Sequence, residues 1–381
     1  VDAVRRARSL LALGAVAGGL ALAACSSGTP SATTGTTAVT HSFTRYAADG
    51  PYAAGTVEYT VGGDPVVVWY PVSPSAVAGR APYAYHLRAW VPAALRAFVP
   101  KSFPDGVAED AYRGVPVASG SFPVVLFSHG YGGYPEQSSF LTAHLATWGM
   151  IVVAADQQKR DLTAVIDGKA GPVEPAQDVT EQLAALAYVT RLGHTAGSLL
   201  DGHVDASLLA TLGHSAGGGT AVRVAAADPA VRGWIALAGV PVAVPARPVP
   251  SLMISGSLDK TVPTSTVRGF YSSVTGHEAL VVIDGYGHNV FDDICTINRA
   301  HGGVKGAVKS LGLPVPPAIL QLGTDGCEPP DRYPPTAWPL IEQAVTAQLE
   351  YDFYGTHRPV GIGAGVVTAF AGVHASWTAG G

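Results

Sequence analysis

Residues 208–220, LLATLGHSAGGGT, constrain this chain more than any other stretch. A short apolar run suited to a strand leads into Gly213-His214-Ser215-Ala216-Gly217, and residues 221–227, AVRVAAA, then suit a helix. A serine held on so sharp a strand-to-helix turn takes strained backbone angles. Its neighbours two places to either side must lack bulk so that strand and helix can pass closely. The helix that follows would aim its N-terminus at Ser215, which favours negative charge developing there. Glycine, serine and alanine abound in this chain, so the pattern gains its weight from what surrounds it.

The 381 residues suffice for one large α/β unit with a sizeable core. With 48% hydrophobic and 13% charged residues, disorder through excess charge is excluded, and a net charge of −5 excludes a nucleic-acid surface. Residues 55–61 and 65–71 read as an opening hairpin turned at Gly62-Gly63-Asp64. Residues 73–121 are longer than an ordinary connection, so they are expected to be a cap over a site or a scaffold insertion, with one helix over 91–99. Apolar runs at 122–127, 150–155, 234–238, 251–255 and 279–283 read as strands. They are separated by helical spacing at 139–148, at 179–192 after a break over 172–178, and at 264–273. Further helices are expected over 303–311 and 338–353, while residues from 356 onward form a Gly/Ala/Val-rich tail with no assignable element. The alternation predicts an α/β fold, a mostly parallel central sheet with helices on both faces.

Arg5, Arg6 and Arg8 precede an apolar run over 10–21 that is too short for a stable membrane anchor and reads as an export signal. It ends in Leu22-Ala23-Ala24-Cys25, which resembles a bacterial lipobox, so residues 1–24 are expected to be removed and Cys25 lipidated. Losing three arginines and Asp2 would take the net charge from −5 to −7. Residues 25–50 have the composition of a flexible tether ahead of a catalytic domain over 51–355. Cys295 and Cys327 then remain as an even pair in an oxidising compartment and are expected to form a disulfide.

A serine hydroxyl becomes a nucleophile when a base takes its proton and a third group holds that base in one tautomer. Asp259 stands just past the run 251–255, and His288 just past 279–283, so both fall at carboxyl ends of strands, on the rim that carries Ser215. Ser215, His288 and Asp259 are therefore read as nucleophile, base and orienting acid. Asp284 is read as closing its strand, Asp292 and Asp293 as surface or loop-capping residues, and Asp156, Asp161 and Asp178 as minor alternatives for the acid. His214 is expected to be a structural histidine, and His129 to shape the turn Ser128-His129-Gly130-Tyr131-Gly132-Gly133. That turn and the residue after the nucleophile would supply oxyanion donors: the N–H groups of Tyr131, with Gly132 as the alternative, and of Ala216. No spacing of His, Cys, Asp or Glu suggests a metal site; His194 and His203 lack zinc-ligand geometry.

The Gly213–Gly217 motif, the loop around Asp259, Gly287-His288 and the Ser128–Tyr131 turn together resemble α/β-hydrolases. The branch is the one containing dienelactone-hydrolase-like proteins, plasma-type platelet-activating-factor acetylhydrolases and bacterial cutinase-like polyester hydrolases. The resemblance runs from about residue 56 to 354. Gly130-Tyr131 with the nearby Gln137-Ser138-Ser139 is similar to the cutinase-like oxyanion loop, and the length of 73–121 is more like the acetylhydrolases. Dienelactone hydrolases proper use a cysteine where Ser215 stands. Gly239-Val240-Pro241 occupies the neighbourhood in which cutinase-like enzymes commonly carry an aromatic residue.

The resemblance implies ester hydrolysis without a cofactor; joined to the export signal, the reading is an exported serine carboxylesterase acting on a small-molecule or lipid-like ester. Polyester hydrolysis, phospholipid acetyl-ester hydrolysis, and amidase or peptidase activity on the same fold are the alternatives; a non-catalytic surface lipoprotein is the alternative of another class. Membrane contact is expected only through the lipid anchor, and a monomer is the default.

Overall fold

Runs of valine, isoleucine and alanine without interrupting charge set the strands, because a parallel strand is covered on both faces and need not alternate. The computed structural model describes residues 43–313, 315–355 and 361–380. In chain order the strands are β1 Ala53–Val61, β2 Asp64–Val72, β3 Ala84–His86, β4 Gly106–Ala108, β5 Ala111–Arg113, β6 Phe122–Ser128, β7 Ile151–Ala155, β8 Val204–His214, β9 Val231–Leu237, β10 Ser251–Gly256, β11 Glu278–Ile283 and β12 Ala375–Ala379. The α-helices are α1 Pro74–Val77, α2 Ala93–Arg96, α3 Ser139–Thr147, α4 Leu162–Ile166, α5 Pro175–Leu192, α6 Ala216–Ala227, α7 Thr264–Tyr271, α8 Gly303–Leu311, α9 Pro317–Leu322 and α10 Trp338–Tyr354.

β3 and β4 pair as a small ribbon, and the other strands form one sheet in the order β12-β11-β10-β9-β8-β6-β7-β2-β1-β5. The run from β7 through β6, β8, β9 and β10 to β11 is parallel, flanked by antiparallel β2 on one side and β12 on the other. The fold is that of an α/β-hydrolase. Within a strand successive side chains go to opposite faces. Trp69, Phe127 and Leu212 join α3 and α10 in one core, while Val68, Leu126 and Leu209 join α5, α6 and α7 in the other. Trp69 and Phe127 are fully buried; each such side chain contributes roughly 1.5–3 kcal/mol by leaving water.

The chain adds β7 on one side of β6 and then β8 on the other. This reversal opens a crevice beyond the carboxyl ends of β6 and β8, where α/β sheets bind ligands. Ser128 ends β6 and His214 ends β8, so the glycine-rich turn and Ser215 meet there.

Several expectations need correction. The helix expected over 91–99 is a single turn, α2, because Pro92 and Pro100 bracket it and the Arg96 side chain instead donates to the carbonyls of Val91 and Ala89. α5 starts at Pro175 rather than 179, since proline suits the first helical turn, where no N–H partner is needed. The tether expected over 25–50 does not extend through its last residues: Tyr46 is buried and its N–H donates to Gln343 Oε1. The tail is not without structure, because β12 pairs antiparallel with β11. The export signal over 1–24 and Cys25 lie outside the described residues.

Candidate active site

Ser215 is the residue between β8 and α6, with φ 56° and ψ −120°, a conformation strained for any side-chain-bearing residue. The two flanking glycines follow from it. A Cβ on Gly213 would run into the Gly217 carbonyl, and one on Gly217 into the Ser128 carbonyl. The strain is held by backbone bonds: Ser215 N–H donates to Leu237 O at 2.9 Å, and Val240 N–H to Ser215 O at 3.1 Å. The N-terminus of α6 faces the serine, giving partial positive charge where an alkoxide would form.

His288 sits past β11 and Asp259 past β10, and the structure joins them. Nδ1–H of His288 donates to Asp259 Oδ2 at 2.9 Å, with both side chains buried. The other carboxylate oxygen, Oδ1, accepts from the N–H groups of Thr261 at 2.9 Å and Val262 at 2.7 Å, so the acid cannot turn away. With its proton on Nδ1, His288 keeps a lone pair on Nε2. That atom is buried and, among the described residues, makes no hydrogen bond. Ser215 and His288 line the same cleft, without a hydrogen bond between them.

The glycine-rich turn is fixed from below. Gln137 Oε1 accepts from Gly130 N–H at 3.0 Å, while its amide donates to His214 Nδ1 at 3.0 Å. His214 Nε2–H in turn reaches His288 O at 3.2 Å. One polar chain thus connects the turn, the serine elbow and the His288 loop. Burial, reinforced by the neighbouring His288, holds His214 well below the usual histidine range, so it stays a neutral strut. His129 is a strut of the same kind: its Nε2 accepts from Gln157 N–H at 3.0 Å and its Nδ1–H donates to Gly130 O at 2.8 Å. Burial, with the charge of Arg160 adding, pushes it down to about 3. Gly130 and Gly133 N–H are occupied within the turn and Gly132 N–H donates to Arg160 O, whereas Tyr131 and Ala216 N–H form no hydrogen bond among the described residues. Tyr131 and Ala216 are the residues whose N–H groups the sequence names as candidate oxyanion donors.

Two groups here escaped sequence reading. Arg160, fully buried, donates to Asp178 Oδ2 at 3.1 Å, to Ser128 Oγ at 3.1 Å, and to the His129 carbonyl, tying β6 to α5 beneath the turn. Asp178 is thereby an ion-pair partner, Asp161 caps α4 through Ala164 N–H, and Asp156 lies against His129, so none of the three touches His288. Asp325 is the second group. Its Oδ2 accepts from Lys260 N–H at 3.0 Å, Thr261 N–H at 2.9 Å and Thr261 Oγ1 at 2.7 Å, and its carbonyl accepts from Asn289 N–H at 2.8 Å. It therefore stitches the acid loop to the histidine loop. Its sole sequence signal was its place two residues before Cys327, which is bonded to Cys295 as expected and so returns the chain to the His288 loop.

Asp293 is buried rather than superficial: it accepts from Ser139 N–H and Oγ and from Tyr85 OH, anchoring α3 and β3. Asp292 is buried as well, its Oδ1 accepting from Ile294 N–H. Among the described residues, no group of three His, Cys, Asp or Glu is arranged to hold a metal ion, and no helix is long and apolar enough to cross a membrane.

Above Ser215, His288 and Tyr131 the cleft is walled by Leu87, Val91 and Phe103 from the long stretch after β2, and by α8 and α9. Residues 73–121 therefore contribute a wall of the site.

A family model described as "PETase: PET hydrolase-like" matches residues 112–301, a span holding Ser215, Asp259 and His288. Cutinase 2 of Thermobifida cellulosilytica is 27% identical over 187 residues, 45% of this chain and 63% of that protein. Cutinase cut1 of Thermobifida fusca is 27% identical over 187 residues, 45% of this chain and 51% of its own length. A bis(hydroxyethyl) terephthalate hydrolase of Streptomyces coelicolor is 25% identical over 166 residues, 43% of this chain and 48% of that protein. The chain spans less than two thirds of the length of each of these relatives.

Proposed function

We propose, from the premise that this chain belongs to the α/β-hydrolase superfamily and resembles PET hydrolase-like proteins and cutinases, that it is an exported serine ester hydrolase. The observation that carries the reading is the His288–Asp259 bond with Nε2 left open, in a cleft that Ser215 and Tyr131 also line. Ser215 Oγ attacks the ester carbonyl as His288 Nε2 takes its proton. Asp259 keeps the imidazole in the tautomer that can accept and stabilises the imidazolium that forms. Ala216 and Tyr131 N–H receive the tetrahedral oxyanion, each such donor typically contributing roughly 3–4 kcal/mol. Collapse expels the alcohol with the proton from His288, and water then cleaves the acyl-serine by the same route.

The Cys295–Cys327 disulfide supports an oxidising, extracytoplasmic location, and we assign Cys25 as the lipid attachment point. No partner chain or cofactor enters this mechanism. The test is labelling with a fluorophosphonate: wild-type protein is expected to label at one serine and Ser215→Ala not at all. Equal labelling of the variant, or none of the folded wild type, refutes the assignment.

A further inference from the structure

Two segments wall the cleft with apolar residues that lie outside residues 112–301, the span that matches the family model. The stretch after β2 presents Leu87, Val91 and Phe103 from one side. From the other, Val304, Val308 and Leu311 of α8 recur at helical spacing, so one apolar stripe faces the cleft while Lys305 and Lys309 stay exposed. The charged pair in the wall is self-contained: Arg88 Nε donates to Asp105 Oδ2 at 2.7 Å and Nη2 to Oδ1 at 2.9 Å. Of the other polar side chains that line the cleft, Gln137 and His214 bond one another, Asp292 Oδ1 accepts from Ile294 N–H at 3.0 Å, and Asn289 Nδ2 donates to Leu322 O at 2.8 Å. What faces the space over Ser215 is therefore mainly hydrocarbon. The α8–α9 segment cannot drift away freely, because the Cys295–Cys327 bond and Asp325 close its base against the acid and histidine loops.

A cleft walled in this way discriminates between substrates by topology. An ester within a polymer has chain on both sides and needs an open trench, whereas a discrete acyl chain has a free end and can lie in a walled chamber. Resting on the ester-hydrolase reading above, we propose that this cleft is an acyl chamber, and that the substrate is a discrete ester with an aliphatic acyl chain. Its tail lies between the stretch after β2 and α8. Hydrolysis adds water across the bond between acyl carbon and alcohol oxygen, releasing the free acid and the alcohol.

The experiment compares kcat/KM for p-nitrophenyl acetate, butyrate, octanoate and laurate, with bis(hydroxyethyl) terephthalate and a polyester film alongside. Burial of each added methylene is expected to raise kcat/KM about twofold to fourfold, giving at least about sixtyfold over the six methylenes from acetate to octanoate. Terephthalate ester and film should be turned over less well than octanoate. Val308→Asp and Leu311→Asp place a carboxylate in the chamber and should lower the octanoate-to-acetate ratio about tenfold or more. Lys309→Asp, on the exposed face of the same helix, should leave the ratio unchanged. Fluorophosphonate labelling of each variant reports whether its site is folded; an unlabelled variant is replaced by the milder Val308→Ser, for which the same fall in ratio is required. A flat or falling acyl-length profile in protein that labels and cleaves acetate overturns the chamber alone. Preference for terephthalate ester or film also overturns it. Absence of both labelling and all ester turnover removes the ester-hydrolase reading itself.

Discussion

Replacing Asp325 by alanine tests whether the active-site loops are positioned from outside the catalytic set. Asp325 touches neither Ser215 nor His288 through its side chain; it accepts three hydrogen bonds from Lys260 and Thr261, the residues directly after Asp259. Hydrogen bonds to a charged group are each worth about 1.5–3 kcal/mol. Lys260 and Thr261 are exposed, so water replaces much of what is lost, leaving a net cost of about 2–3 kcal/mol. Thr261 N–H also serves Asp259 Oδ1, so loosening this loop moves the carboxylate that aims the imidazole. We expect kcat on p-nitrophenyl acetate to fall about thirtyfold, equivalent to about 2 kcal/mol of barrier. KM should stay within about twofold, because no substrate contact is removed. Asp325→Asn can keep one acceptor oxygen at the Oδ2 position but places an amide where Oδ1 is buried without a partner. It should recover most of kcat while remaining less heat-stable than wild type. Wild-type kcat in the alanine variant, with only a lower Tm, would show that Asp325 merely braces the α8–α9 segment. A rise in KM matching the fall in kcat/KM would show instead that it contacts substrate.

The remaining predictions concern stability. Burial, with repulsion from Glu109 adding, drives Glu136 up to about 8, and burial likewise drives Glu109 and Asp293 up to about 7. The folded chain keeps these protons after the unfolded chain has released them near pH ~4, so the stability they confer is full below that range and is lost as pH rises through 7 to 8. Tm of Glu136→Gln is therefore expected to fall less than that of wild type between pH ~5 and ~8.5, and parallel curves would contradict this. Replacing both Cys295 and Cys327 by serine opens a loop whose ends lie 32 residues apart. It should lower the unfolding free energy by on the order of 3.5 kcal/mol, read from the shift in the guanidinium midpoint; an unshifted midpoint would refute it.

Glu109 and Asp293 also show why the long stretch after β2 was illegible as sequence. It is held to the body by contacts with segments remote in sequence, among them β5 against β1, Trp69 Nε1–H to Glu109 and Tyr85 OH to Asp293, and not by any periodic pattern. The same holds for β12: five residues of mixed polarity become a strand because β11 offers an unpaired edge. Such pairings depend on what lies beside a segment in space, which local spacing cannot encode.

The sequence by itself determined the parallel sheet, the serine elbow with its two obligatory glycines, and the order Ser215, Asp259, His288 at three strand ends. Each of these is a local demand: continuous apolar runs where strands are covered twice, small residues where backbones touch, polar residues where a strand stops. Tertiary structure alone decided which amides of the glycine turn stay open, that Gln137 and His214 strut them, and that Asp325 returns from beyond α9 to fix the acid loop. It also decided that two stretches remote in sequence wall the cleft at Ser215 with apolar side chains. These are contacts between segments far apart in the chain, set by the packing of the whole sheet and its helices, and so they are written only in three dimensions.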